Sequence, residues 1–124
     1  MSRQSAGEGP AVSPRLRPAT SVDVARLAGV DVPPLPEKLD SFADLHARLD
    51  ATLAFVRAAD RAAVDAGPAR SLTVPWGKED KTMTGLVYFQ RLALPNFMFH
   101  ATTAYDILRH NGVPLEKTDF TGTF

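Results

Sequence analysis

Leu94-Pro95-Asn96-Phe97-Met98-Phe99-His100, continued by Ala101-Thr102-Thr103-Ala104-Tyr105-Asp106-Ile107-Leu108-Arg109-His110-Asn111-Gly112-Val113-Pro114, decides the fold. Phe97, Ala101, Ala104, Ile107 and Leu108 recur at helical spacing, which defines one face expected to point inward. Asp106, Arg109 and Asn111 fall off that face. Gly112 and Pro114 supply a conventional stop, and Thr84 is a good cap far upstream, so the helix is expected from Thr84 to about Asn111. Pro95 interrupts it. Proline has no amide hydrogen and crowds the carbonyl of Arg91, which predicts a kink or break between Leu92 and Asn96.

Working outward, Ser41 can accept a bond from an orphan amide and Asp44 favours the positive helix end, so a helix is expected to begin at Phe42. Phe42, Leu45, Leu49, Leu53 and Val56 form its core-facing stripe, with His46, Arg48, Asp50 and Arg57 in solvent. Residues 60–66 add a further turn or two before Gly67-Pro68 stops the chain. Further upstream, Ser21 to Gly29 reads as two helical turns capped by the serine and closed by the glycine. Pro33, Pro34 and Pro36 then make residues 30–38 an extended connector across the surface. Ser71 to Pro75 and Lys81 to Met83 are short, partly β-branched runs that predict a small hairpin with Trp76 at its bend. Residues 1–20 hold three prolines, two glycines and three arginines with little apolar content, a composition expected of a disordered leader. The folded domain is expected over residues 21–124.

The whole chain has 124 residues, enough for one domain and one core. Its 44% hydrophobic and 23% charged content is that of a globular protein. Fourteen basic residues balance fourteen acidic ones, so no long-range field gathers phosphate backbones, and nucleic acid is not an expected partner. Without cysteine there is no thiolate catalysis, disulfide or thiolate zinc site. No apolar run approaches the ~20 residues of a membrane-spanning helix, so no membrane partner is expected and the location is read as cytoplasmic.

Residues Leu94 to Gly122, with Val74-Pro75-Trp76-Gly77 and Thr84-Gly85, resemble an uncharacterised domain-of-unknown-function family whose members end in a pattern close to LPNFxFHxxTAYxILRHNGVxLxKxDFxG. The resemblance continues more weakly through Ala25 to Val30 and the Phe42 to Val56 helix. It implies the DinB/YfiT-like superfamily of four-helix bundles, many of whose members carry a divalent metal on three histidines and are regarded as metalloenzymes or thiol-dependent transferases. The implied fold is all-α: an up-down helical bundle, incomplete at about three helices, with a small β-hairpin before the last helix. Members of the family begin with two long helices that are largely missing or replaced here. A bundle short of a helix leaves an apolar seam exposed, so either a second subunit covers it or the chain is a truncated or mis-started reading frame.

Aligning on Leu108-Arg109 and Gly112 places the second metal-binding histidine of that family at His100 and the first at Asn96, a much poorer ligand for zinc or nickel than imidazole. The third would come from the Ser21 to Ala28 segment, which has no histidine. Read without the resemblance, His100 lies beside Phe97, Ala104 and Ile107 and is expected to be a core histidine with one hydrogen bond; a metal or substrate role stays open. His110 suits the negative end of its helix. Tyr105 with Asp106 and Arg109 can orient a ligand or form an ordinary surface pair. Trp76 can stack on a ligand or pin the hairpin to the helices, and the second is expected. Met83, Phe97, Met98 and Phe99 are expected in the core. Candidate ligand-binding residues are therefore Trp76, His100, Tyr105 and Arg109, and candidate metal ligands His100 and Asn96. No GxSxG elbow, Walker loop or HExxH occurs. The expected function is a non-catalytic binding or structural module without a cofactor that associates with copies of itself through the exposed seam. The alternative is a zinc- or nickel-dependent enzyme of the transferase type.

Overall fold

The computed structural model describes residues 19–123. The leader expected over residues 1–20 falls outside them, apart from Ala19 and Thr20, which begin α1 (Ala19–Ala28). Ser21 is thus inside the first turn, fully buried, and not at the cap position. The helix ends as expected: Gly29 takes a left-handed conformation, and the amides of Gly29 and Val30 reach back to the carbonyls of Arg26 and Ala25. The proline connector follows without regular structure, tied down where Arg48 donates to the Pro36 carbonyl at 3.1 Å.

The capping box at Ser41 is complete at the start of α2 (Phe42–Ala58). The Ser41 hydroxyl accepts from the Asp44 amide and the Asp44 carboxylate accepts from the Ser41 amide, both at 3.1 Å. Helix α2 does not continue into residues 60–66. Ala59 turns extended, and Asp60 caps a separate short helix, α3 (Arg61–Asp65), by accepting from the Ala63 amide at 2.9 Å. A single 3-10 turn over Gly67–Ala69 leads into an antiparallel hairpin of β1 (Ser71–Trp76) and β2 (Glu79–Thr84). Trp76 lies opposite Glu79, so the connecting turn is Gly77-Lys78, with Gly77 at φ 65°.

Thr84 caps α4 (Gly85–Tyr88), as expected, by accepting from the Val87 amide. Pro95 causes no break. The chain widens into a π-helical turn over Phe89–Ala93 and resumes as α5 (Leu94–His110), with the Leu94 amide bonding five residues back to the Phe89 carbonyl. That wider turn sits next to the proline, the position where an ordinary helix would press the ring on the Arg91 carbonyl. Gly112 closes α5 at φ 88°, and the side chain that caps its last turn is Asn111, donating to the Ile107 carbonyl at 2.7 Å. A final short helix, α6 (Lys117–Thr121), brings Phe120 edge-on to Tyr105 with ring centroids 5.6 Å apart.

The core is small. Val74, Tyr88 and Ala93 are buried together, with Leu27, Leu72, Met83 and Leu92 packed around them. Three segments meet there backbone to backbone: a Cβ on Gly85 would lie 1.9 Å from the Gly67 carbonyl oxygen, and one on Gly67 would lie 2.6 Å from that of Leu27. Arg70 locks the crossing by donating from Nε to the Leu27 carbonyl at 3.2 Å, near the negative end of α1.

The two stripes expected to face the core do not. Phe42 is 84% exposed, Leu49 59% and Ile107 57%, and Leu45, Leu53, Phe97 and Leu108 are exposed as well. The face that α2 does bury centres on Thr52, whose hydroxyl is satisfied by the Arg48 carbonyl at 2.8 Å. At 100° per residue Thr52 lies about a sixth of a turn from the centre of the leucine stripe. Periodicity marks an apolar face, and no element among the described residues covers it.

Candidate functional site

The densest polar cluster joins α1 to α4. Asp23 and Arg26, three apart on α1, reach Tyr88 at the end of α4, which is 1% exposed. The Tyr88 hydroxyl donates to Asp23 Oδ1, and Arg26 Nη1 donates to the same hydroxyl oxygen at 3.0 Å, with its guanidinium 5.5 Å from the ring centroid. Burial pushes the Tyr88 phenol up to about 12, helped by its bond to Asp23. Burial also raises the Asp23 carboxyl above its ordinary value, against the lowering effect of Tyr88 and Arg26. A phenol held protonated between a carboxylate and a guanidinium fastens two helices well. It offers neither a free nucleophile nor a base near neutrality.

Beside this cluster lies an apolar groove between α1, the π turn and α5, with a cavity of about 150 Å³. Val24, Leu27, Phe89, Leu94 and Phe97 line it, together with Thr20, Asp23 and Ala93. Nothing in its lining has metal-ligand character beyond the one carboxylate already bonded to Tyr88.

The residues singled out by sequence are scattered. Trp76 stands at the hairpin tip, 49% exposed, with Lys81 Nζ 5.1 Å from its ring centroid, and it is Val74, not Trp76, that pins the hairpin to the helices. The tryptophan is the last residue of β1 and projects past the core. His100 is exposed on α5, edge-on to Phe99 at 5.2 Å, so it is not a core histidine. Asn96, one turn earlier, is exposed too, and among the described residues no three histidine or acidic side chains gather as a metal site. One imidazole and one amide do not fit the three-histidine donor set that the resemblance implies. Tyr105 and Arg109 do come together: the guanidinium lies 5.7 Å from the Tyr105 ring centroid, and Phe120 takes the ring's edge, so Tyr105 anchors the tail. Met83 joins the core as expected, whereas Phe97, Met98 and Phe99 are exposed.

Asp23, Arg26 and Tyr88 were not singled out by sequence. An acid and a base three apart on a helix otherwise carrying Ser21, Ala25 and Ala28 on its buried side was a usable signal. Tyr88 offered none, because it pairs in the core with Ala93 at a spacing of five that belongs to the π turn and to no α-helical pattern.

A mostly helical chain with one two-stranded hairpin, a buried phenol held by a partly buried carboxylate and guanidinium, and a strongly exposed apolar surface is the class that these elements define. Residues 18–121 match the domain of unknown function DUF1993, and the chain belongs to that family. Among solved structures it is similar to a DinB family member protein from Shewanella denitrificans, at 33% sequence identity and a TM-score of 0.75 over 86% of this chain. The chain spans 60% of the length of that protein. No curated protein matches it. No described helix is long and apolar enough to cross a membrane.

Proposed function

We propose that this DinB-like domain, read as residues 21–124, is an incomplete up-down bundle of about three helices acting as a non-catalytic, cytoplasmic binding module that associates with copies of itself. The single observation that carries the reading is its surface. A compact chain of 13.4 kDa exposes ~6,500 Å², and this one exposes 10177 Å². Granting residues 1–18 the largest area that a chain of their length can present, ~2,700 Å², still leaves an excess on the order of 1,000 Å². A stable dimer of standard size buries ~800 Å² on each partner. The exposed surface is moreover apolar along α2 and along α4 and α5, well beyond the single scattered residues normal on a monomer.

The absence of a catalytic role is supported by the polar cluster, whose three members are engaged in holding α1 to α4. The balanced charge offers nothing to nucleic acid. Sedimentation velocity over a hundredfold range of protein concentration tests the reading, with binding of a hydrophobic dye as a second readout. Concentration-dependent association is expected, with dye binding falling as the species grows. A monomer at all concentrations that binds no dye would overturn it.

A further inference from the structure

We infer that Phe42 of one copy seats in the groove between α1 and α5 of a second copy, and reciprocally, closing a two-fold dimer. The inference rests on the self-association proposed above and names the contact that makes it. Phe42 is the most exposed large apolar side chain among the described residues, at 84%. It is also rigidly presented, because it is the first residue of α2 and the capping box between Ser41 and Asp44 fixes the backbone on which it stands. A preorganised aromatic side chain loses little freedom on docking, the property that distinguishes binding anchors from merely exposed apolar residues.

The groove has the matching size. A cavity of about 150 Å³ is too small for an ordinary metabolite, whose sites run from ~300 Å³ upward. It is the volume that takes a single benzene ring in an apolar protein cavity, and so one phenyl side chain. The π turn contributes to it directly, since Phe89 and Ala93 bound that turn and both line the groove with Leu94 and Phe97. A phenyl ring entering there meets Val24 and Leu27 from α1 on the other side. Leu45 and Leu49 continue the apolar surface beside the ring along α2 and extend the contact beyond the anchor.

Charge does not oppose the pairing, because the formal net charge is zero. Anchor and groove are different surfaces of one chain, so a single insertion would propagate into open filaments unless a symmetry axis closes it. Both lie on elements that pack against α1, and a two-fold axis that brings each Phe42 to the other copy's groove closes the assembly with two identical contacts.

The test uses the full chain. Sedimentation velocity is expected to show a dimer for the native sequence, and Phe42→Ala, at a position too exposed to disturb folding, should weaken the dimer at least ~thirtyfold with an unchanged circular dichroism spectrum. Because the chain has no cysteine, Ala43→Cys and Leu94→Cys variants can be mixed under mild oxidation. A disulfide joining one variant to the other should form in excess over either symmetric product. If the native chain dimerises and Phe42→Ala dimerises equally well, or the symmetric products dominate, this pairing is wrong while self-association stands. Growth into open-ended oligomers would also overturn it. A native chain that stays monomeric at every concentration removes both the pairing and the proposed function.

Discussion

Replacing Tyr88 by phenylalanine removes one oxygen and leaves the ring in the core. The lost hydroxyl donates to Asp23 and accepts from Arg26, so both bonds involve a charged partner. Each such bond contributes about 1.5–3 kcal/mol net. The two do not add, because Asp23 and Arg26 are only partly buried and recover water and one another once the phenol is gone. A net loss of about 1.5–3 kcal/mol is expected, which for a domain of this size lowers Tm by on the order of 10 °C. The pH dependence isolates the cause. A phenol raised from its ordinary value of 10.0 to about 12 in the folded state contributes stability that is complete below pH 10 and is lost as pH rises through about 12. Below pH 10 both folded and unfolded chains hold the proton. Between the two values the unfolded chain releases it first and gains. The window is worth about 2–3 kcal/mol. Urea unfolding followed by far-ultraviolet circular dichroism at pH 7, 10 and 11.5 measures it, with Tyr105 common to both proteins and so cancelling in the difference. The native chain should lose its advantage over Tyr88→Phe across that range. A variant within 0.5 kcal/mol of the native chain at pH 7, or one with the same alkaline slope, would refute the reasoning.

Gly85→Ala should be more damaging, because its Cβ would stand 1.9 Å from a backbone oxygen that cannot rotate away; a loss of at least ~3 kcal/mol, or no folded protein, is expected in the same urea assay. Ser41→Ala opens the capping box and should cost about 1 kcal/mol, read as a lower urea midpoint at unchanged m-value. His100→Ala should change stability by less than about 0.5 kcal/mol, since the side chain is exposed, and native mass spectrometry should give the same metal content before and after. A large destabilisation would restore the core-histidine reading, and loss of a stoichiometric metal would restore the metal-site reading.

Local chemistry made much of the fold legible. The caps at Ser41 and Thr84, the glycine stops at Gly29 and Gly112, the proline connector and the hairpin all follow from interactions between residues close in sequence, and all stand where the residues put them. The break at Ala59 was not legible, because a helix of alanines and arginines gives no warning that Asp60 will start another cap. The outcome at Pro95 was half legible: proline forbids one hydrogen bond, but whether the chain bends, breaks or widens depends on what packs on each side.

The candidate site was mostly hidden. Its members are 62 and 65 residues apart in the chain, and they meet only because Gly67 and Gly85 let α1 and α4 approach at backbone distance.

The stretch from Leu94 to Pro114 by itself determined that a helix stands there, where it ends, and which family the chain resembles, because hydrogen bonds three and four residues apart and capping groups are encoded locally. It also determined that Phe97, Ile107 and Leu108 form an apolar face. Only the tertiary structure decided that this face is exposed, that His100 stands in solvent and that the polar cluster belongs to Tyr88. Burial depends on which distant segment arrives to cover a surface, and a pattern of side chains along one helix carries no information on the arrival of another.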